Sequence, residues 1–398
     1  MKIRTVALAL IVGLSLTTSA AGYERTGFGA VFMTDWLSWA AIDDALPEHV
    51  GDMNDGSEFR MVRLSATRPL GEGNEVRLSF DLRGGQAIVR DAYMELRNMP
   101  YVGDIRLGHF REPFSIEAET SSRFVSFMEF GLPTVFSPGR NMGLMLKNRG
   151  LGQRAQWAVG VFQEVSEFGN SEGAGQPSLT ARLVARPMVE GESASGNFIH
   201  TGLAFSTRVP PEKRVRYRAR PEVNLAPWFV DTRDPVTFQD IRTERLNLGN
   251  AEVAGSFGPL HFQGIYSIAC ATLPADEASP CESCGSDKMA LWGLSAQAGY
   301  FITGEHRGYS PESGSFSPIV PSTDFLEHDG PGAWEVVARY SVLDLTKADT
   351  VDSRLSSFSL GLNWYPSAQT RLLLNVVTPS LEDIGSSTAV AMRLQANF

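Results

Sequence analysis

The chain has no long apolar segment beyond its N-terminus, few cysteines and fewer basic than acidic residues. Beyond its first 21 residues it has no run of about 18 apolar residues, so no helix could cross a bilayer with its backbone groups satisfied. Only three of the 398 residues are cysteine. Basic residues are outnumbered, 35 against 45 acidic ones, which argues against nucleic acid as a partner.

The N-terminus has the pattern of a secretory signal peptide. Lys2 and Arg4 precede an apolar run over residues 5–16, and small residues at 19–21 offer a cleavage point. Loss of this signal removes two basic residues, which leaves 33 against 45 acidic ones and a net charge of about -12. The remainder, residues 22–398, contains no Pro- or Ser-rich linker, which favours a single domain.

The three cysteines, Cys270, Cys281 and Cys284, lie in one loop that also carries Ser, Asp and Glu. In the oxidising compartment that export implies, two of them are expected to pair. A metal site would need a fourth ligand, which this loop does not obviously supply. The sequence therefore predicts a disulfide in this loop, no metal site and no cofactor.

Apolar and polar residues alternate through the last segment of the chain. Val390, Met392 and Leu394 alternate with polar residues such as Arg393, and the chain ends on Phe398. A strand that is apolar on one face and polar on the other, at the end of an exported protein, indicates an outer-membrane β-barrel. The same alternation predicts seventeen candidate strands, near 25–38, 59–67, 75–83, 87–97, 104–111, 142–148, 153–163, 178–186, 198–207, 214–220, 246–256, 260–269, 289–302, 333–342, 355–365, 370–378 and 388–398.

Parity reduces the seventeen candidates to sixteen. Single-chain bacterial barrels have an even number of strands, because both chain ends lie on the periplasmic side. The connector 112–141 has the length of an extracellular loop. Strands counted from the N-terminus place this connector outside the cell, and strands counted back from the C-terminus do so only if one later candidate is removed. That candidate is 214–220, since the prolines that flank it would interrupt a hydrogen-bonded ladder. The sequence thus predicts an all-β fold, a 16-stranded antiparallel transmembrane β-barrel with inward-folded loops, of which 209–245 is one.

Alternation also assigns the two faces of each strand. In the third strand Leu78 and Phe80 face lipid, which turns Arg77 to the lumen, while Arg90 falls on the lipid side of the next strand and is interpreted as marking the membrane edge. Over all sixteen strands the lumen carries thirteen basic and seven acidic residues. The basic ones are Arg25, Arg63, Arg77, Arg83, Arg97, Arg106, Lys147, Arg154, Arg182, Arg186, Arg339, Arg371 and Arg393, and the acidic ones are Asp35, Asp81, Asp91, Glu95, Asp104, Glu252 and Glu335.

The predicted lumen is therefore electropositive inside an acidic chain. A water-filled channel lined by one sign of charge focuses the field and concentrates counter-ions. Arginine suits an anion channel because it is permanently charged and can bind an oxyanion through two N–H groups. Each single arginine could instead brace the wall by pairing with a carboxylate, and only the surplus of basic residues favours anion transport.

One motif concentrates arginine further. Arg214, Arg216, Arg218 and Arg220 occupy alternate positions, so in an extended chain they face one way at a spacing of about 7 Å. Such a row repels itself unless anions or carboxylates lie between its members. Two interpretations stay open, a solvated basic hairpin at the cell surface that could bind lipopolysaccharide, and an inward-folded row that binds anions.

Several motifs together resemble the phosphate-selective porin O and P family. They run in the family's order from about residue 58 to the end of the chain. They are Asp91-Ala-Tyr-Met-Glu95, Arg106-Leu-Gly-His-Phe-Arg-Glu-Pro-Phe114, Thr120-Ser-Ser122, Phe127-Met-Glu129, Leu132-Pro133, Pro138-Gly-Arg-Asn-Met-Gly143, Arg216 to Glu222, Thr303-Gly-Glu305, Trp334-Glu335 with Ala338-Arg-Tyr-Ser341, and Gly361-Leu-Asn-Trp-Tyr365 with Arg371 and Asn375.

The resemblance implies a homotrimeric outer-membrane porin for phosphate and related anions such as pyrophosphate or polyphosphate. It also implies loops folded into the bore and a row of arginines along it. By position, 112–141 is the main constriction loop and 209–245 a second inward loop. Candidate residues of the constriction loop are Glu112, Phe114, Glu117, Arg123 and Arg140.

Other functions remain as alternatives. Beyond the signal the only lysines are Lys147, Lys213, Lys288 and Lys347, and this scarcity keeps a general, weakly anion-preferring diffusion channel open. A barrel scaffold or adhesin that acts through its long loops is a third class. A lipase would need Ser and His on adjoining lipid-facing strands, but the strand histidines fall on lumen faces, so we expect no enzyme. They are His200 and His261.

Overall fold

A computed structural model describes residues 26–83, 86–166, 169, 176–191, 196–234, 236–274, 288–328, 330–348 and 354–398. Sixteen antiparallel strands form one closed barrel, with the last strand paired to the first. The predicted fold and strand number are confirmed. The wall strands are Gly27–Ile42, Gly56–Gly71, Asn74–Arg83, Gln86–Met99, Gly103–Arg111, Arg140–Gly150, Ala155–Gln163, Ser178–Glu190, Asn197–Arg208, Arg245–Phe257, Leu260–Thr272, Lys288–Phe301, Ala333–Asp344, Arg354–Tyr365, Thr370–Leu381 and Gly385–Asn397.

Side chains along the wall follow the predicted alternation. Leu78 and Phe80 are exposed on the outer surface, whereas Ser79 between them is buried in the lumen. The same holds at the end of the chain, where Met392 is exposed outside and Arg393 is buried inside. An apolar outer surface matches hydrocarbon, and the alternate residues build the interior.

Two of the β-bulges in the described strands each turn an arginine into the lumen. The first strand pairs Met33 with Met61 and Thr34 with Phe59, which leaves Arg60 as an extra residue. The third strand pairs Ser79 with Asp91 and Phe80 with Val89, which leaves Arg90 extra. A bulge shifts the side-chain period by one residue and re-aims the side chain. The prediction that Arg90 marks the membrane edge is therefore wrong, because its Nε lies 3.1 Å from Asp81 on the lumen side.

Helices are few and short. No helix among the described residues is long and apolar enough to cross a membrane. The α-helices are Leu46–Val50, Ile116–Glu119 and Phe325–His328, and the 3-10 helices are Leu132–Phe136, Pro211–Lys213 and Thr346–Ala348.

Segment 214–220 lies outside the wall, as predicted. Arg214–Val215 pairs with Ile241–Arg242, and Arg218–Ala219 pairs with Val230–Asp231. Loop 209–244 thus carries two small sheets of its own. A third small sheet pairs Tyr309–Ser310 with Ser315–Phe316.

Three connections fold into the barrel. Loops 112–139 and 209–244 enter at one rim of the barrel. Connection 302–332 enters at the opposite rim, where the first strand begins and the last strand ends. Inside, the Phe316 amide donates to Thr120 Oγ1 at 3.1 Å. The lumen is therefore narrowed from both ends.

On one side of the lumen, apolar side chains of the wall pack against the inward loops. Near the rim of the two long loops, the ninth to fifteenth strands turn apolar side chains inward, such as Leu248, Leu291 and Leu343, which are all buried. Loop residues Phe136 and Tyr217 pack against them, with ring centroids 4.9 Å apart. This apolar contact fixes both loops to that part of the wall.

Four sequence predictions fall outside the described residues. They are the signal peptide at 1–21, Arg25, and the cysteines Cys281 and Cys284. The prediction that Cys270 lies in a loop is wrong, because it lies on the eleventh strand, Leu260–Thr272. The disulfide and the domain boundary stay predictions.

Candidate functional site

A chain of three cavities runs along the side of the lumen that the loops leave open. The outer cavity, of about 420 Å³, lies between the ends of loops 112–139 and 209–244. The central cavity, of about 340 Å³, lies beside loop 112–139. The inner cavity, of about 310 Å³, reaches connection 302–332. Arg90 and Arg140 line both the outer and central cavities, and Arg77, Tyr93, Arg106 and Glu119 line both the central and inner ones.

The central cavity is strongly basic. Eight arginines and three acids line it, a local excess of five positive charges. Low-dielectric walls around such a lining focus its field on the passage. The arginines are Arg60, Arg63, Arg77, Arg90, Arg106, Arg111, Arg123 and Arg140, and the acids are Asp81, Asp91 and Glu119.

Five of the eight arginines are held by carboxylates. Arg63 Nε donates to Asp81 Oδ1 at 2.5 Å, and Arg140 Nε donates to Asp91 Oδ1 at 2.9 Å. Arg90 shares the Asp81 carboxylate with Arg63. The remaining two pairs are Arg60 with Glu129 and Arg106 with Glu95.

The other three, Arg77, Arg111 and Arg123, have no carboxylate within 4 Å among the described residues. Arg77 projects from the third strand, Arg111 donates to the Ala118 carbonyl, and Arg123 lies over the Phe124 ring at 4.8 Å. Burial, reinforced by the charges of Arg77 and Arg63, lowers the pKa of Arg123. A mobile anion between these groups would supply the missing negative charge.

On the packed side of the lumen, predicted site residues are buried in loop contacts. Arg339 donates to Glu222 Oε2 from Nε at 3.0 Å and from Nη2 at 2.6 Å. Arg371 donates to the Val125 carbonyl at 2.6 Å. These arginines anchor the inward loops and do not reach the three cavities.

Arg393 is a further anchor on that side. It donates to both oxygens of Asp35 at 2.7 Å and to Glu129 at 2.7 Å. Burial favours the neutral acid of Glu129, but Arg60 and Arg393 outweigh it and lower the pKa of Glu129 to about 2. Loop 112–139 is thereby tied to the first and last strands through a carboxylate that stays ionised.

The predicted constriction-loop residues divide into two groups. Glu112, Phe114 and Glu117 are buried between the loop and the wall, whereas Arg123 and Arg140 line the central cavity. The buried acids have structural partners, such as Arg208 Nη2, which donates to Glu112 at 2.8 Å. Only the basic members of this set face the passage.

Predicted lumen residues near the inner cavity pair closely with one another. Glu95 accepts from Arg106 Nε at 2.5 Å and from Lys147 Nζ at 2.9 Å. Arg97 lies 3.3 Å from Glu95 and 3.3 Å from Glu312 of connection 302–332. These contacts brace the wall and attach the tip of that connection to it.

The row Arg214 to Arg220 is divided between two settings. Arg214 and Arg216 line the outer cavity, and Arg216 Nε donates to Asp231 at 2.7 Å. Arg218 and Arg220 stack on the Trp228 ring at 4.1 and 4.5 Å. Aromatic contact and carboxylate pairing together relieve the repulsion that the sequence implies.

Sequence reasoning missed Arg60, Arg90 and Arg111 as lining residues. By simple alternation all three fall on the outer face. The structure turns Arg60 and Arg90 inward through bulges, and Arg111 turns in at the end of its strand, where loop 112–139 begins. An isolated arginine in an otherwise apolar stripe was the one available signal.

Comparisons with known proteins agree with this geometry. A family model described as phosphate-selective porin O and P matches residues 40–398. Porin O of Pseudomonas aeruginosa is 25% identical over 346 residues, which cover 79% of this chain and 74% of that protein. An uncharacterized protein of Caulobacter vibrioides is 26% identical over 336 residues, which cover 80% of this chain and 62% of that protein.

Solved structures show the same fold at low identity. OprB of Pseudomonas putida gives a TM-score of 0.56 at 10% identity and covers 94% of both chains. OmpF of Salmonella typhi gives a TM-score of 0.55 at 10% identity, covering 94% of this chain and 97% of that one. At such identities the likeness concerns the barrel alone.

Proposed function

The chain belongs to the phosphate-selective porin O and P family, and we propose that it passes oxyanions of the phosphate class through the arginine-lined passage. It is a porin of the bacterial outer membrane. The observation that carries the proposal is the central cavity, which is lined by three arginines that have no carboxylate within 4 Å among the described residues. Passage is by diffusion, without a catalytic step.

Phosphate chemistry fits these three groups. Each guanidinium presents several N–H donors in a plane, which suits an oxyanion with several acceptor oxygens. Ser121 and Ser122 line the same cavity and add hydroxyl donors. Because the other arginines already pair with carboxylates, an anion gains most from contact with Arg77, Arg111 and Arg123.

The assembly and the wider range of substrates belong to the same proposal. Membership of the family favours a homotrimer in the membrane. Pyrophosphate and short polyphosphates are extended oxyanions that could bridge successive arginines along the passage. A general, weakly anion-preferring porin is the second candidate, favoured by the four carboxylates that pair with five of the eight arginines.

Planar-bilayer recording of the purified protein tests the proposal. In a potassium chloride gradient the reversal potential should show chloride preferred over potassium, and added phosphate or pyrophosphate should partly block the chloride current. Anion preference without a block would favour the general porin. Cation preference would contradict both.

A further inference from the structure

Glu119 differs from the other acids of the passage. Four acids line the described parts of the central and inner cavities. Asp81, Asp91 and Glu312 each lie within 4 Å of an arginine. Glu119 has no such ion pair among the described residues, although it lines both cavities at the point where they meet.

The backbone holds Glu119 firmly in that place. It ends the helix Ile116–Glu119, and its amide donates to the Ser115 carbonyl at 2.8 Å. The start of the helix is fixed by the Ile116 amide, which donates to Glu252 at 2.7 Å. The backbone that carries this carboxylate is therefore fixed beside the passage.

One oxygen of this carboxylate has no hydrogen-bond partner. Oε1 of Glu119 is buried and makes no hydrogen bond to any described residue. An ionised carboxylate can only accept hydrogen bonds, and a buried acceptor without a donor is costly. A hydrogen-bond donor bound where the two cavities meet would satisfy this oxygen.

From this placement we propose that Glu119 determines specificity by accepting a hydrogen bond from the acidic hydroxyl of a protonated oxyanion, such as monohydrogen phosphate. The inference rests on the proposed function, since the arginines must first admit the anion. Chloride and sulfate carry no hydroxyl at neutral pH, so they meet only the negative charge of Glu119. A site built to bind a hydroxyl group discriminates strongly against ligands that lack one.

The test compares two blockers of the chloride current, inorganic phosphate and inorganic sulfate, in planar bilayers at pH 7. The quantity measured is the half-blocking concentration of sulfate divided by that of phosphate. In E119A this ratio should fall by about tenfold, because phosphate loses a charge-assisted hydrogen bond while sulfate loses only repulsion. E119Q, which keeps the shape of the side chain, should lower the ratio in the same direction.

E312A is the matched control. It removes the same charge from the same inner cavity, but from a carboxylate already paired with Arg97. Its ratio should equal that of the wild type. If E119A and E119Q shift phosphate and sulfate equally, the effect is charge alone and the inference is overturned, while the proposed function stands. If the wild type shows no anion preference at all, the proposed function itself is wrong, whatever the result for E119A.

Discussion

The two sides of the lumen use the same residue in opposite ways. On the packed side, Arg339 and Arg393 are buried and each is neutralised by acids, because an unpaired charge in a dry interior is very costly. On the passage side, Arg77 and Arg123 have no carboxylate within 4 Å among the described residues, and both line an open cavity with room for a mobile anion. The number of lumen arginines is therefore not the number of anion contacts.

The largest effect, a loss of stability, should follow when a buried ion pair on the packed side is removed. In Glu222→Gln, Arg339 loses the carboxylate that accepts from it at 2.6 Å, and Leu132 and Ser359 lose a charged acceptor. Removal of one partner of a buried ion pair costs about 3–5 kcal/mol. We expect a lower melting temperature and noisier single-channel currents.

Glu382→Gln is the control for Glu222→Gln. Glu382 pairs with Arg354 at 3.4 Å with half its side chain exposed, so stability should change by less than about 1 kcal/mol. Equal melting temperatures for the two variants would show that the packed side does not depend on its ion pairs.

The next effect concerns the passage side. The triple variant R77A/R111A/R123A should lower the chloride-to-potassium permeability ratio roughly tenfold, because it removes the focused positive charge. Reversal potentials in a salt gradient give the ratio. The matched control R233A/R245A/R354A removes three arginines that lie outside the three cavities, and its ratio should stay near the wild-type value. A ratio unchanged in the first variant would remove these arginines from the mechanism.

A smaller, pH-dependent effect should come from Glu119. Burial raises the pKa of this carboxyl, so it takes up a proton at a higher pH than an ordinary glutamate. The groups that face it are Arg77, Arg106, Arg111, Arg182, Lys147 and Tyr93.

As the pH falls through that pKa, the passage gains positive charge and chloride conductance should rise, while the preference for phosphate over sulfate declines. Conductance measured from pH 8 to about pH 4 gives the titration. The step should be absent from E119Q. A step that persists there belongs to another group.

The smallest effect should come from R216A/R218A/R220A. Asp231 already neutralises Arg216, and Trp228 holds the other two by stacking. None of the three lines the central cavity, so the shift in reversal potential should be well below that of R77A/R111A/R123A. An equal or larger shift would move the selective region to the outer cavity.

The wall strands were predictable from the sequence because the two faces of each strand meet different surroundings. Lipid outside and water inside impose a period of two on every strand, and this period shows in runs such as Val76 to Arg83. Strand parity and prolines then excluded 214–220 from the wall. These signals are local or count along the chain, so they need no knowledge of distant contacts.

The use of each arginine could be decided only by the tertiary structure. Bulges at Arg60 and Arg90 depend on how neighbouring strands pair, and a one-residue shift reverses the face of a side chain. Whether a lumen arginine meets water or a carboxylate depends on where loops far away in sequence come to rest, as Arg339 meets Glu222. The sequence by itself determined a barrel with a basic interior, while packing of the loops decided which of those charges an anion can reach.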